Sequence, residues 1–269
     1  MSIDDFRILL RRFYENNYRD MPWRKSDDGE FDPYAITVSE IMLQQTQVER
    51  VIPKFEAFIT AFPTLEDLAA ASLQDVLKFW SGLGYNRRAK YLHDFAKTIS
   101  NSGDTFPTTV EALSAHKGIG PNTAAAILVY SYNQPQVFIE TNIRTVYINT
   151  FFAERSEVSD AEILEKVAMT LDRNNPREFY WALMDYGTYL KKQGKGNLAK
   201  SASHARQSTF EGSLRQIRGK VIKHLTNKDA ITIADLATAI NDERLELVLK
   251  QLEGEQLITI SDNRISIAS

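Results

Sequence analysis

The sequence predicts an all-α body followed by a small winged-helix-like domain, and three observations carry that prediction. Apolar residues recur at helical spacing through most of the first 190 residues. The helices so marked follow one another closely enough to leave no room for a large sheet. From residue 211 the pattern changes to three helices and a terminal hairpin with a polar turn, the order of a winged helix.

Residues 3–17 form the first amphipathic stretch, with Phe6, Leu9, Leu10 and Phe13 on one face. A connector from Arg19 to Arg24 and a charged loop over 25–33 precede a long helical stretch over 34–62, in which Pro53 predicts a break. The first part of that stretch turns Val38, Ile41, Met42 and Thr46 toward a core, with Glu40, Gln44 and Gln45 elsewhere. Thr64 with Asp67, and Ser72 with Asp75, predict capped helix starts. Gly82-Leu83-Gly84-Tyr85 is a turn, 87–100 a helix, and another helix begins near Thr109. That helix runs into Gly118-Ile119-Gly120-Pro121, where the glycines supply left-handed backbone angles and Pro121 opens the next helix. After a turn at Asn133-Gln134-Pro135, Val137-Phe138-Ile139 is extended, and Thr141 or Asn142 starts a helix carrying Val146 and Ile148. Helices over 160–173 and 176–189 close the body. Residues 191–208 are basic, polar and rich in Gly and Ser, a linker or loosely packed arm. In the tail, helices over 212–226, from 232 and over 243–253 precede strands at 257–260 and 265–267. The domains expected are a body over 1–190, a basic linker over 191–210 and the winged-helix-like domain over 211–269.

Composition excludes several function classes. None of the 269 residues is a cysteine, which removes disulfides, thiol catalysis and thiolate-held zinc or iron–sulfur centres. No cofactor and no metal are expected. No apolar run approaches the ~20 residues of a membrane span, and the first residues lack the pattern of a signal peptide, so a cytoplasmic protein without membrane contact is expected. The net charge of −3 gives no global attraction to nucleic acid. A local one exists: Lys191, Lys192, Lys195, Lys200, Arg206, Arg215, Arg218, Lys220 and Lys223 are opposed only by Glu211.

Three features point to chemistry. The glycine turn leaves backbone N–H groups at a positive helix N-terminus, which suits a phosphate, although the same spacing also builds hairpins that bind nothing. Ile139-Glu140-Thr141-Asn142 places a carboxylate just before a helix start. Ser39 to Gln47 sets a second carboxylate, Glu40, beside Gln44, Gln45 and Gln47 on a core helix.

Met21-Pro22-Trp23-Arg24, Ser39 to Gln47, Leu83-Gly84-Tyr85 and Gly118 to Ala124 together resemble the signature stretches of A/G-specific adenine DNA glycosylases. These belong to the helix-hairpin-helix glycosylase superfamily, which also holds endonuclease III, and the resemblance covers roughly residues 6–189. It implies a two-lobed helix-hairpin-helix body, with a six-helix lobe at about 22–133 and a second lobe of 1–21 plus 134–190. It also implies a monofunctional base-excision glycosylase, a monomer, that flips a base out of double-stranded DNA and hydrolyses its N-glycosidic bond. The base would be adenine mispaired with guanine or 8-oxoguanine. The alternatives are a glycosylase of the same fold for uracil, thymine opposite guanine or a damaged pyrimidine, and a catalytically silent DNA-binding protein.

By the same resemblance, Glu40 protonates the departing purine, a task that needs a raised pKa, and Glu140 stabilises the cationic sugar and positions water. Asn142 orients that site, Gln44 wedges into the gap left by the flipped base, and Tyr85 presses on the other side of the stack. Lys117, Gly118, Gly120 and Thr123 hold a backbone phosphate, with Arg24, Gln45 and Asn122 as further DNA contacts. Asn122 stands where bifunctional relatives carry a Schiff-base lysine, so strand cleavage through an imine is not expected. The sequence departs from the family in three places. Glu140 replaces an aspartate, and the tail replaces a domain that reads 8-oxoguanine. The four cysteines of a [4Fe–4S] cluster are missing after Tyr189, where Lys191 and Lys192 are expected to contact DNA phosphates instead.

Overall fold

The computed structural model describes residues 1–268 apart from Asp27, Asp104 and residues 203–208. Arg206 and the end of the expected linker lie outside the described residues. In chain order the body contains α1 (Ile3–Asn17), α2 (Pro33–Leu43), α3 (Val48–Ala61), α4 (Leu65–Ala70), α5 (Leu73–Trp80) and α6 (Arg87–Ser102). It continues with α7 (Val110–Ser114), α8 (Pro121–Tyr132), α9 (Thr141–Phe151), α10 (Asp160–Thr170) and α11 (Pro176–Lys192). The tail adds α12 (Leu214–Leu225), β1 (Ile231–Thr232), α13 (Ile233–Ile240), α14 (Leu245–Gly254), β2 (Ile258–Ser261) and β3 (Arg264–Ile267). The all-α body and the winged-helix order are those read from the sequence.

The chain divides into two units. The first comprises residues 1–37, 107–115 and 119–206. Its core gathers Phe6, Phe138, Tyr147 and Tyr180, each fully buried, with Ala125, Ala126 and Val129 of α8. This is why residues 119–133, expected in the first lobe, group instead with α9 and α11: the small residues of α8 face that core. Tyr180 stacks on Phe138 with ring centres 4.1 Å apart. Its hydroxyl accepts from the Phe138 N–H at 3.2 Å and donates to the Gln136 carbonyl at 3.0 Å. A buried side chain thus satisfies the extended backbone leading to Glu140, in place of a strand ladder.

The second unit comprises residues 38–106, 116–118 and 207–269. Helix starts at Thr64 and Ser72 are capped by their side chains as expected, the first with a full capping box. The chain does not break at Pro53. It breaks at residues 44–47, and α3 runs through the proline. The cause is Arg88, whose buried guanidinium donates to the carbonyls of Ile41 at 2.5 Å and Met42 at 3.0 Å. Those carbonyls need no further helical turn, and Gln45 leaves the helix in the left-handed region at φ 56°. The tail forms an antiparallel sheet of order β1-β3-β2, with Ile260 opposite Ile265 in register.

Candidate active site and nucleic-acid interface

In the first unit, Glu140 is the N-cap residue of α9 in extended conformation, yet its side chain makes no capping hydrogen bond. The carboxyl is therefore available for other chemistry, which removes the plain capping role from this position. Burial pushes it above the usual carboxylate range, opposed by the positive charges of Arg144 and Lys191. Arg144 is itself held by Asp160 through bonds of 2.8 and 2.7 Å. Two residues on, Asn142 accepts from the Lys191 ammonium at 2.7 Å. Gly187 of α11 makes this approach possible, since a Cβ there would lie 2.5 Å from the Asn142 carbonyl oxygen. Asn122 is exposed near the start of α8, and its Oδ1 accepts from the Ile139 N–H at 3.5 Å, so it lies next to the segment that carries Glu140.

In the second unit, Glu40 is half-buried near the end of α2, flanked by the buried Ser39 and Ile41. Gln44 follows in the turn and donates to the Gly118 carbonyl at 3.3 Å. Gly118 has φ +87°, and a Cβ there would meet the Tyr91 ring at 2.9 Å, so glycine is required twice over. Lys117 and Gln45 are exposed beside these groups. Tyr85 stands exposed on the Gly84 turn with φ 47°, a strained position for a non-glycine residue. The guanidiniums of Arg88 and Arg215 lie 5.5 and 5.6 Å from its ring centre, and Arg215 donates to its hydroxyl at 2.7 Å. Gln44, Gln45, Gly118 and Tyr85 open onto a cleft of about 830 Å³ that Arg87, Arg215 and Arg218 also line; Glu40 and Lys117 are not among its lining residues. Arg218 is occupied by Gln251 and Glu255 of the winged-helix domain.

Several expectations change. Arg24 is not a surface contact for DNA. It is 6% exposed and pairs with Asp185, because a buried carboxylate needs a matched cation. Lys191 does not extend to solvent as a phosphate contact; it turns inward to Asn142, whereas Lys192 is exposed. Gly120 is not left-handed. It is the extended N-cap of α8 at φ −83°, with Pro121 at the first helical position as expected. The start of the expected linker is also structured. Val158 donates to the Lys200 carbonyl and receives the Ala202 N–H, while Asn149 donates to the Lys195 carbonyl and Lys200 to the Ala153 carbonyl. An iron–sulfur cluster does not fit here, since the chain has no cysteine to supply thiolates. The residues that sequence reasoning missed are Arg88 and Asp185, whose roles depend on distant carbonyls and cations that no local spacing reveals. Arg215 was visible only as one charge in a basic run.

The family of "HhH-GPD superfamily base excision DNA repair protein" matches residues 38–171. An adenine DNA glycosylase of Mycolicibacterium smegmatis is 31% identical over 267 residues, covering 92% of this chain and 86% of that protein. The chain belongs to this superfamily, among the adenine DNA glycosylases. The human adenine DNA glycosylase is 36% identical over 195 residues, but the chain spans only 36% of that protein's length against 69% of its own. A thermostable thymine-DNA glycosylase shares the fold, with a TM-score of 0.59 at 24% identity over 69% of this chain and 85% of its own. An endonuclease III–DNA covalent intermediate gives 0.58 at 15% identity, over 70% and 87%. Glu40, the Gly118 to Thr123 turn, Glu140 and Asn142 all fall within the residues matched by the family. No helix among its described residues is long and apolar enough to cross a membrane.

Proposed function

We propose that this glycosylase excises adenine mispaired with guanine or 8-oxoguanine, by hydrolysis and without a resident metal or cluster. The observation that carries the reading is Glu140, a desolvated carboxyl at a helix N-cap that is not used as a cap. Extended similarity to an adenine DNA glycosylase supports the choice of base. In this reading Glu40 donates its proton to the adenine ring, and the glycosidic bond breaks with its electron pair leaving on the base. Glu140 stabilises the oxocarbenium-like sugar and takes a proton from the water that adds to it. Asn142 fixes the orientation of that site. The half-buried Gln44 and the strained, exposed Tyr85 hold the gap left in the duplex, and the turn containing Lys117, Gly118, Gly120 and Thr123 grips a phosphate. Asn122 offers no amine, so the product is an intact abasic strand.

The test is a panel of duplexes, each with one mismatch or lesion, incubated with the protein and then treated with alkali. Strand scission only at adenine opposite guanine or 8-oxoguanine is expected, with none before alkali. Scission at another base overturns the substrate assignment. Glu40→Gln and Glu140→Gln each abolish scission in this reading, and a variant that keeps near-full rate removes that residue from the mechanism.

A further inference from the structure

Met184, Gly187 and Lys191 lie along one face of α11, at the three- and four-residue steps that align side chains on a helix. All three meet Asn142. The Met184 sulfur is 3.9 Å from the Asn142 amide nitrogen, Gly187 admits the Asn142 backbone, and the Lys191 ammonium holds the amide oxygen at 2.7 Å. The two ends of the amide are therefore distinguished: the oxygen faces a cation and the nitrogen a weak acceptor. An ammonium ordinarily reaches for water, and a half-buried one needs compensation.

That compensation is Glu140. Burial lowers the affinity of Lys191 for its proton, and the Glu140 carboxylate raises it again. Burial raises the affinity of Glu140 for its proton, and Arg144 and Lys191 lower it. Among the described residues, the groups that interact electrostatically with Glu140 are Arg144 on its own helix, Lys191 on α11 and the buried phenol of Tyr180, also on α11. Arg144 is matched by the bidentate Asp160 at the start of α10. Lys191 has Glu140 as its opposing charge.

We propose that Lys191 is a positioning residue for the hydrolysis, fixing the Asn142 amide and supplying the counter-charge to Glu140. The proposal rests on the assignment of Glu140 as the sugar-facing acid. A desolvated carboxyl shifts toward its neutral form when one of its two cations is removed, and a neutral acid neither stabilises a cationic sugar nor accepts a proton from water.

The experiment titrates the Glu140 carboxyl by carbon NMR in DNA-free protein, assigned by its loss in Glu140→Gln, and in parallel measures single-turnover excision against pH. In Lys191→Met the Glu140 midpoint is expected to rise by about one pH unit, the effect of losing one of the two opposite charges acting on a desolvated carboxyl. The acid limb of the rate profile should move by the same amount. Lys191→Gln keeps a donor for Asn142 and removes only the charge, so it should show the same shift, and it replaces the methionine variant if that fails to fold. Lys191→Arg should restore both curves. An unmoved Glu140 midpoint in a folded Lys191→Gln protein overturns the proposal. If the wild type excises no base from any duplex, the functional assignment fails while the NMR titration still decides the Lys191–Glu140 coupling.

Discussion

Replacing Asp185 with asparagine should destabilise the first unit severely. The carboxylate is 1% exposed and accepts three short bonds: Arg19 Nε at 2.6 Å, and Arg24 Nη1 at 2.8 Å and Nη2 at 3.0 Å. The Arg24 side chain is 3% exposed, against 29% for that of Arg19, so Arg24 cannot turn to water when the anion is lost. Its guanidinium is further enclosed by the rings of Trp181 and Tyr18, at 5.3 and 5.8 Å. Breaking one side of such a buried pair costs about 3–5 kcal/mol, and hydration of Arg19 places Asp185→Asn near the lower value, about 3 kcal/mol. With a melting shift of roughly 2–4 °C per kcal/mol for a domain of this size, the loss is about 6–12 °C. Thermal melts and urea titrations of Asp185→Asn, Arg24→Met and the double variant measure it. The double variant should be more stable than the sum of the singles predicts, by about 2 kcal/mol, since it leaves neither Asp185 nor Arg24 unmatched. A single-variant loss under about 1 kcal/mol, or strict additivity, would refute the reasoning. DNA affinity and its salt dependence should not change in folded Arg24→Met.

Gly187→Ala forces a methyl to 2.5 Å from the Asn142 carbonyl oxygen, so α9 and α11 must separate. A stability loss of about 1–3 kcal/mol is expected, with excision falling more than DNA binding; a neutral variant in both assays sinks the close-packing argument. Arg215→Ala removes a cation from the rim of the Tyr85 cleft. Weaker duplex binding is expected with a salt slope shallower by about one, measured by anisotropy across a salt series, and an unchanged slope would take Arg215 off the DNA interface.

Much of the fold was legible because its signals are local. Thr64, Ser72 and Thr109 announce helix starts whose partners lie three residues away, and each caps as its sequence requires. The tail was legible for the same reason, since helix periodicity and a polar turn suffice for a winged helix. The break after Leu43 was not, because it is set by Arg88, more than forty positions later, reaching the carbonyls that end α2. The candidate acids could be named from motifs, but their environments could not. That Lys191 turns inward depends on Gly187 one helical turn earlier and on a neighbouring helix, neither of which a run of basic residues reveals. Arg24 misled for a related reason: a guanidinium beside tryptophan reads as a ligand contact until its distant carboxylate is found.

The bond between Arg215 and Tyr85 makes the winged-helix domain more than an appended module. The aromatic group assigned to the duplex has its hydroxyl already tied to α12, and Arg87 and Gln74 reach the same domain through Glu255 and the Lys228 carbonyl. A truncation at residue 211 would therefore not return a minimal glycosylase with its reading head unaltered. It would remove the partners of Tyr85, Arg87 and Gln74, so under the proposed function the grip on the duplex gap depends on the C-terminal domain.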